Sequence, residues 1–126
     1  DTPGVGTRLQ DHVGVAISFD LRQPSDAGPT IGATVERDGR QIVVMDRLPG
    51  RSEMGALLAG HLAVRSEGSV SLPDPDGPPS VQLNQLSSPA DLDGLQLVVT
   101  EALALLRSPG VQAAVGERYV DQRGAG

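Results

Sequence analysis

Asp38 and Gly39 constrain the fold of this chain more than any other pair of residues. They separate two apolar-rich runs, 32–37 and 40–45. Asp-Gly between such runs signals a two-residue type I′ hairpin, whose central residues must both take positive φ. In that register Val35 opposes Ile42 and Ala33 opposes Val44, so apolar groups share one face without a forced bulge. The two runs are therefore expected to pair antiparallel. Upstream, Val13, Val15, Ile17, Phe19 and Leu21 alternate with Gly14, Ala16, Ser18, Asp20 and Arg22. A period of two puts five apolar side chains on one face of a strand. Between these segments, residues 23–30 carry Pro24, Gly28 and Pro29 and read as a loop.

The next segments are shorter. After the Leu48-Pro49-Gly50 break, residues 52–58 read as a short helical turn with Ser52 as N-cap. Residues 61–65 and 69–72 read as strands around a Glu67-Gly68 turn, and 81–83 as a last edge strand. The prolines and glycine of 73–79 exclude regular structure, because proline removes a donor and fixes φ. Then the period changes. Leu92, Leu95, Val99, Ala102 and Leu106 recur at spacings of three and four, an amphipathic helix with Ser88 as N-cap and Pro89 at its first position. Burying its Leu and Val side chains is worth about 1.5–3 kcal/mol each, against roughly 1 kcal/mol lost at Gly94. Residues 111–115 add a helical turn, and 116–126 read as a frayed tail. The fold class is α+β: an antiparallel sheet with a helix over about 89–107 packed on one face.

A chain of 126 residues is one domain's worth. Phe19 and Tyr119 are its only aromatics, so the core must come from Val, Leu, Ile and Ala. The net charge is −6 and all ten basic residues are scattered arginines, which argues against nucleic acid as a partner. With no cysteine, disulfides, thiolate nucleophiles and Cys-type metal sites are excluded. No apolar run approaches the ~18 residues of a membrane span, and residues 1–20 lack the layout of a signal peptide. A cytoplasmic location is expected.

Most candidate motifs reduce to structure. Gly4 and Gly6 imitate the start of a dinucleotide fingerprint, but Leu9 stands where its third glycine belongs, and a strand rather than a helix follows. These glycines shape a turn. Asp74 and Asp76 before Gly77 resemble a calcium loop that lacks its remaining ligands, so no metal site is expected. Asp91 and Asp93 fall in the first helical turn, where negative charge complements the helix dipole. His12 and His61 are the two imidazoles. Each reads either as a structural hydrogen-bonding side chain or as a candidate to face a substrate, and no serine sits in a nucleophile elbow.

Two stretches carry a family resemblance. Residues 1–12, Asp-Thr-Pro-Gly-Val-Gly-Thr-Arg-Leu-Gln-Asp-His, resemble the linker motif that leads into the substrate domain of the glucose-methanol-choline (GMC) flavin alcohol oxidoreductases. Residues 66–72, then Asp74-Pro75, Pro78-Pro79 and 84–92, resemble the same family's later pattern: a small-residue turn and strand, a Pro-rich loop, an Asn-aromatic-Leu segment and a helix. The resemblance covers roughly residues 1–22 and 64–115. Arg8 stands where the family usually has Asn, Gln85 where it has an aromatic, and 23–63 match nothing.

The resemblance implies the substrate-domain portion of a choline-dehydrogenase-like, FAD-dependent alcohol oxidoreductase. In such enzymes the flavin-binding segment lies upstream and the catalytic His downstream, so this chain is expected to hold no catalytic residue, to bind no flavin alone, and to be an excised piece. Its partners would be the remainder of the flavoenzyme and a small alcohol. The alternative is a small acidic α+β binding module without catalytic activity, which recruits a partner through exposed strand edges.

Overall fold

The computed structural model describes residues 3–118. Five strands, β2 (Val13–Leu21), β3 (Ile31–Arg37), β4 (Arg40–Met45), β5 (Met54–His61) and β8 (Val115–Arg118), form one antiparallel sheet in the order β3-β4-β5-β2-β8. A smaller sheet joins β1 (Thr7–Leu9), β6 (Gly68–Ser71) and β7 (Ser80–Gln82) in the order β1-β6-β7. Helix α1 (Pro89–Leu106) lies across one face of the larger sheet, and the short α2 (Pro109–Ala114) leads from it into β8. The α+β expectation, an antiparallel sheet with one packed helix, describes this architecture.

The hairpin pairs as the turn chemistry dictates, Val35 with Ile42 and Ala33 with Val44. Asp38 and Gly39 take φ of 49° and 69°, the left-handed values that a type I′ turn demands of both residues. One irregularity was not expected: between Ile31 and Ala33 the register shifts, which makes Gly32 an extra residue in β3.

The core is the helix-side face. Ile17 and Phe19 of β2, Ile42 of β4, Leu57 and Ala59 of β5 and Val115 of β8 meet Leu95, Val98, Ala102 and Leu106 of α1. Phe19 fits because it opposes Gly55, where a Cβ would meet the ring 2.7 Å away. The helix presents a slightly rotated stripe. Leu92 points to solvent, Val99 is only partly buried, and Asp91 and Val98 are fully buried instead.

Three segments correct the expectations. Residues 52–58 are not a helical turn: most belong to β5, the central strand, paired to β2 and β4 along its length. Residues 54–57 are buried whichever way they point, and such an apolar run without alternation cannot be separated from a helix by periodicity. Residues 61–65 do not form a strand against 69–72. His61 ends β5, the chain to Glu67 is irregular, and β6 pairs with β1 and β7. The reason lies in the backbone donors of Arg65 and Ser66, which go to the Asp91 carboxylate rather than to a ladder. Finally, 115–118 extend the sheet as β8 on the outer side of β2, where helix and tail were expected; residues 119–126 of that tail lie outside the described residues.

Candidate functional site

The two stretches that carry the family resemblance lie more than fifty residues apart in sequence and meet in the small sheet. Gly6, at φ +79°, passes so close to Val70 that a Cβ would stand 2.1 Å from its carbonyl oxygen, and the Val70 N–H donates to the Gly6 carbonyl at 2.7 Å. Only glycine fits both conditions. Arg8 Nε donates to Glu67 Oε1 at 3.0 Å, and Gln10 Nε2 to the Val64 carbonyl at 3.1 Å. From the later stretch, Gln85 Nε2 reaches the Asp11 carboxylate at 3.2 Å and the His12 carbonyl at 3.3 Å. The departures Arg8 and Gln85 are thus part of the lock between the stretches.

This lock delivers His12 to the start of β2, at the rim of the sheet face that carries no helix. His12 is exposed, with Nδ1 3.7 Å from Asp11 Oδ1. Beside it is a hollow of about 320 Å³ with Gly14, Ala16 and Gly60 in its floor and Gln41, Val43, Leu58 and Leu62 around them. The lining follows from the pairing: Ala16 opposes Leu58, Leu58 opposes Val43, and Gly60 opposes Gln41, so all share the face opposite the core. Small residues make the surface concave, and no Asp, Glu or Arg side chain lines it. A larger hollow of about 580 Å³ lies between 21–25 and α2; its one lining carboxylate, Asp46, accepts from the Ser25 hydroxyl at Oδ2 at 2.7 Å, while its buried Oδ1 has no hydrogen-bond partner.

His61 is elsewhere. It sits on the covered face, buried beneath α1, and neither ring nitrogen has a hydrogen-bond partner. Its Nε2 is 3.5 Å from Asp91 Oδ1. The ring fills the space that a side chain at Gly94 would need, since a Cβ there would lie 2.5 Å from two ring atoms. Gly94 therefore earns its place in the helix by accommodating an imidazole. The two histidines lie on opposite faces of the sheet and do not form one site.

Asp91 stands in the first turn of α1, as expected, but its role goes beyond complementing the helix dipole. It is fully buried and accepts from the Ser66 N–H at 2.7 Å, from the Arg65 N–H at 2.8 and 3.1 Å, and from the Ser66 hydroxyl. The Ser66 hydroxyl, followed by the two N–H donors and the nearby His61, holds its carboxyl down at about 2, against the opposing effect of burial. The same Ser66 oxygen accepts the Ser88 N–H at 3.0 Å, so Asp91 anchors both the helix start and the loop before β6. A signal was present: Ser88-Pro-Ala-Asp91 has capping-box spacing, although neither side chain caps the helix. Ser66, His61 and Asp91 are not a hydrolytic triad, because the hydroxyl donates to the carboxylate rather than to the imidazole and all three are buried.

Among the described residues no group of three possible metal ligands occurs, and no helix is long and apolar enough to cross a membrane. Compared with known protein families and with curated proteins, the chain matches none.

Proposed function

We propose that this chain is the substrate-domain portion of a GMC-type, FAD-dependent alcohol oxidoreductase, and that the helix-free face of its large sheet forms one wall of the alcohol site. The observation that carries the reading is the junction of the two motif stretches: residues within 1–22 and 64–115, the parts that resemble the family, hold one another and set His12 at a concave, largely apolar face. A largely apolar concavity suits hydride transfer from a carbinol carbon, where excluded water sharpens the electrostatics of the reacting groups. FAD would do the redox chemistry, and the remainder of the enzyme would hold it. In this reading the chain supplies shape, and the proton acceptor lies outside it.

The test is to express the chain joined to its natural flanks. The expected product is a yellow protein whose flavin absorbance is bleached anaerobically by a primary or secondary alcohol. A product without flavin, or with flavin that no alcohol reduces, rejects the proposal. The rival reading, a binding module, draws on the edge strand β7, where Val81 and the neighbouring Leu83 are exposed. It predicts that the chain captures an extended peptide by strand addition.

A further inference from the structure

We infer that the alcohol met by the helix-free face is a monohydric one with an uncharged, apolar body, and that quaternary ammonium alcohols and polyols are discriminated against there. The inference rests on the reading of this face as a wall of the alcohol site. The hollow of about 320 Å³ holds two polar side chains, His12 and Gln41, and both belong to one end of it: Gln41 lies across from Gly60, and Gly60 from Gly14, which follows two residues after His12. The next row on the same face is Ala16, Leu58 and Val43. Its side chains are wholly apolar.

A quaternary ammonium group is held by aromatic faces or by carboxylates. This wall offers neither. Phe19 is committed to the core on the other side of the sheet, Tyr119 lies outside the described residues, and among the described residues no Phe, Tyr or Trp side chain lines the hollow. Asp11, beside His12, and Glu36, across from Gln41, both stand outside the lining. Each is also engaged, since Asp11 accepts the Gln85 amide at 3.2 Å and Glu36 accepts the Gln41 amide.

A polyol needs a partner for every hydroxyl it buries, because a hydrogen bond left unmade is expensive once water is gone. The backbone does not supply them: β5 is paired to β4 on one side and to β2 on the other, so the sheet uses its donors and acceptors. What remains is His12 and Gln41, whose amide already donates to Glu36. One hydroxyl can be matched at that end. The apolar row beyond it favours methylene and methyl groups.

Matched alcohols test this in the chain joined to its natural flanks, through the rate of anaerobic flavin reduction per unit of alcohol concentration. Straight-chain primary alcohols from propanol to heptanol should gain about threefold to fourfold per added methylene, the factor that corresponds to burying one such group. The uncharged carbon isostere of choline should react at least about tenfold faster than choline, whose charge finds no partner on this wall, and hexanol should outrun sorbitol. Leu58→Glu sets a carboxylate in the apolar row and should move the isostere-to-choline ratio towards choline by about tenfold or more. Should that variant lose its flavin, Val43→Thr, which keeps the shape and adds a hydroxyl, should flatten the methylene series. Choline outrunning its isostere, or sorbitol outrunning hexanol, overturns the inference while the alcohol-site reading stands. A preference for apolar alcohols that neither substitution alters also overturns it, since another wall then makes the choice. Flavin that no alcohol reduces overturns the alcohol-site reading itself, and the inference with it.

Discussion

Gly94 and His61 show how a single contact reverses a local preference. In an exposed helix interior, replacing Gly with Ala gains about 1 kcal/mol. At Gly94 the new methyl would meet the His61 ring at 2.5 Å inside a packed interface, and overpacking of that kind costs about 1–3 kcal/mol. Gly94→Ala should therefore destabilise the chain in urea melts. In a His61→Ala background the same substitution should become neutral or favourable, because the two residues are coupled; additive effects would show that the ring is not what excludes a side chain. Asp91 makes a pH prediction. Its folded value of about 2 lies below the ordinary 3.8, so as pH falls the unfolded chain takes up the proton first. Its contribution is complete above the ordinary value and drains away as pH drops through the folded one. Asp91→Asn should be less stable than the parent at neutral pH, and the gap between their melting temperatures should narrow steadily towards pH 2. A constant gap would mean that the carboxylate charge contributes nothing.

At the scale of elements, the legibility of each segment depended on how many of its faces are covered. β2 has one apolar face and one polar or small face, and the hairpin adds its turn chemistry, so both were plain in the sequence. β5 is the middle of the sheet, and its first four residues, Met54 to Leu57, are all buried whichever face they point to; that half of the strand holds no period to read. The helix was legible in extent but not in phase. Its apolar residues run nearly all round, and three- and four-residue spacings through Leu92 and Val99 compete with those through Asp91, Leu95 and Val98. The phase was decided by the buried carboxylate, which tertiary hydrogen bonds require on the inner side. The two leucines at the ends of the helix separate the alternatives. Leu106→Ala, at a site 2% exposed, should cost about 2–5 kcal/mol. Leu92→Ala, at 43% exposure, should stay within about 0.5 kcal/mol. Equal losses in denaturant melts would place Leu92 back in the core.

For the molecule as a whole, the fold class was within reach of the sequence because one hairpin, one alternating strand and one amphipathic helix already demand a helix on an antiparallel sheet. The concave face was not. It is made by glycines and alanines from β2 and β5 that touch only after β5 is recognised as a strand, and His12 reaches it through side-chain bonds from Gln85, seventy-three residues away. That face also separates stability from function. Leu58 points out of the sheet, 38% exposed and on the side away from the core, so Leu58→Arg removes little buried area and should leave the melting temperature nearly unchanged. If the helix-free face is a wall of the alcohol site, the same arginine brings charge and bulk into a largely apolar hollow and obstructs a substrate that must approach within reacting distance. In the completed flavoprotein, Leu58→Arg should keep flavin bound and the protein folded, yet slow anaerobic flavin reduction by alcohol by about 10²-fold or more, the scale at which misplacing a reactant is felt. Unaltered reduction kinetics in a folded, flavin-loaded Leu58→Arg protein would remove this face from the alcohol site, while leaving the assembly of the two motif stretches to be explained by some other demand on the fold.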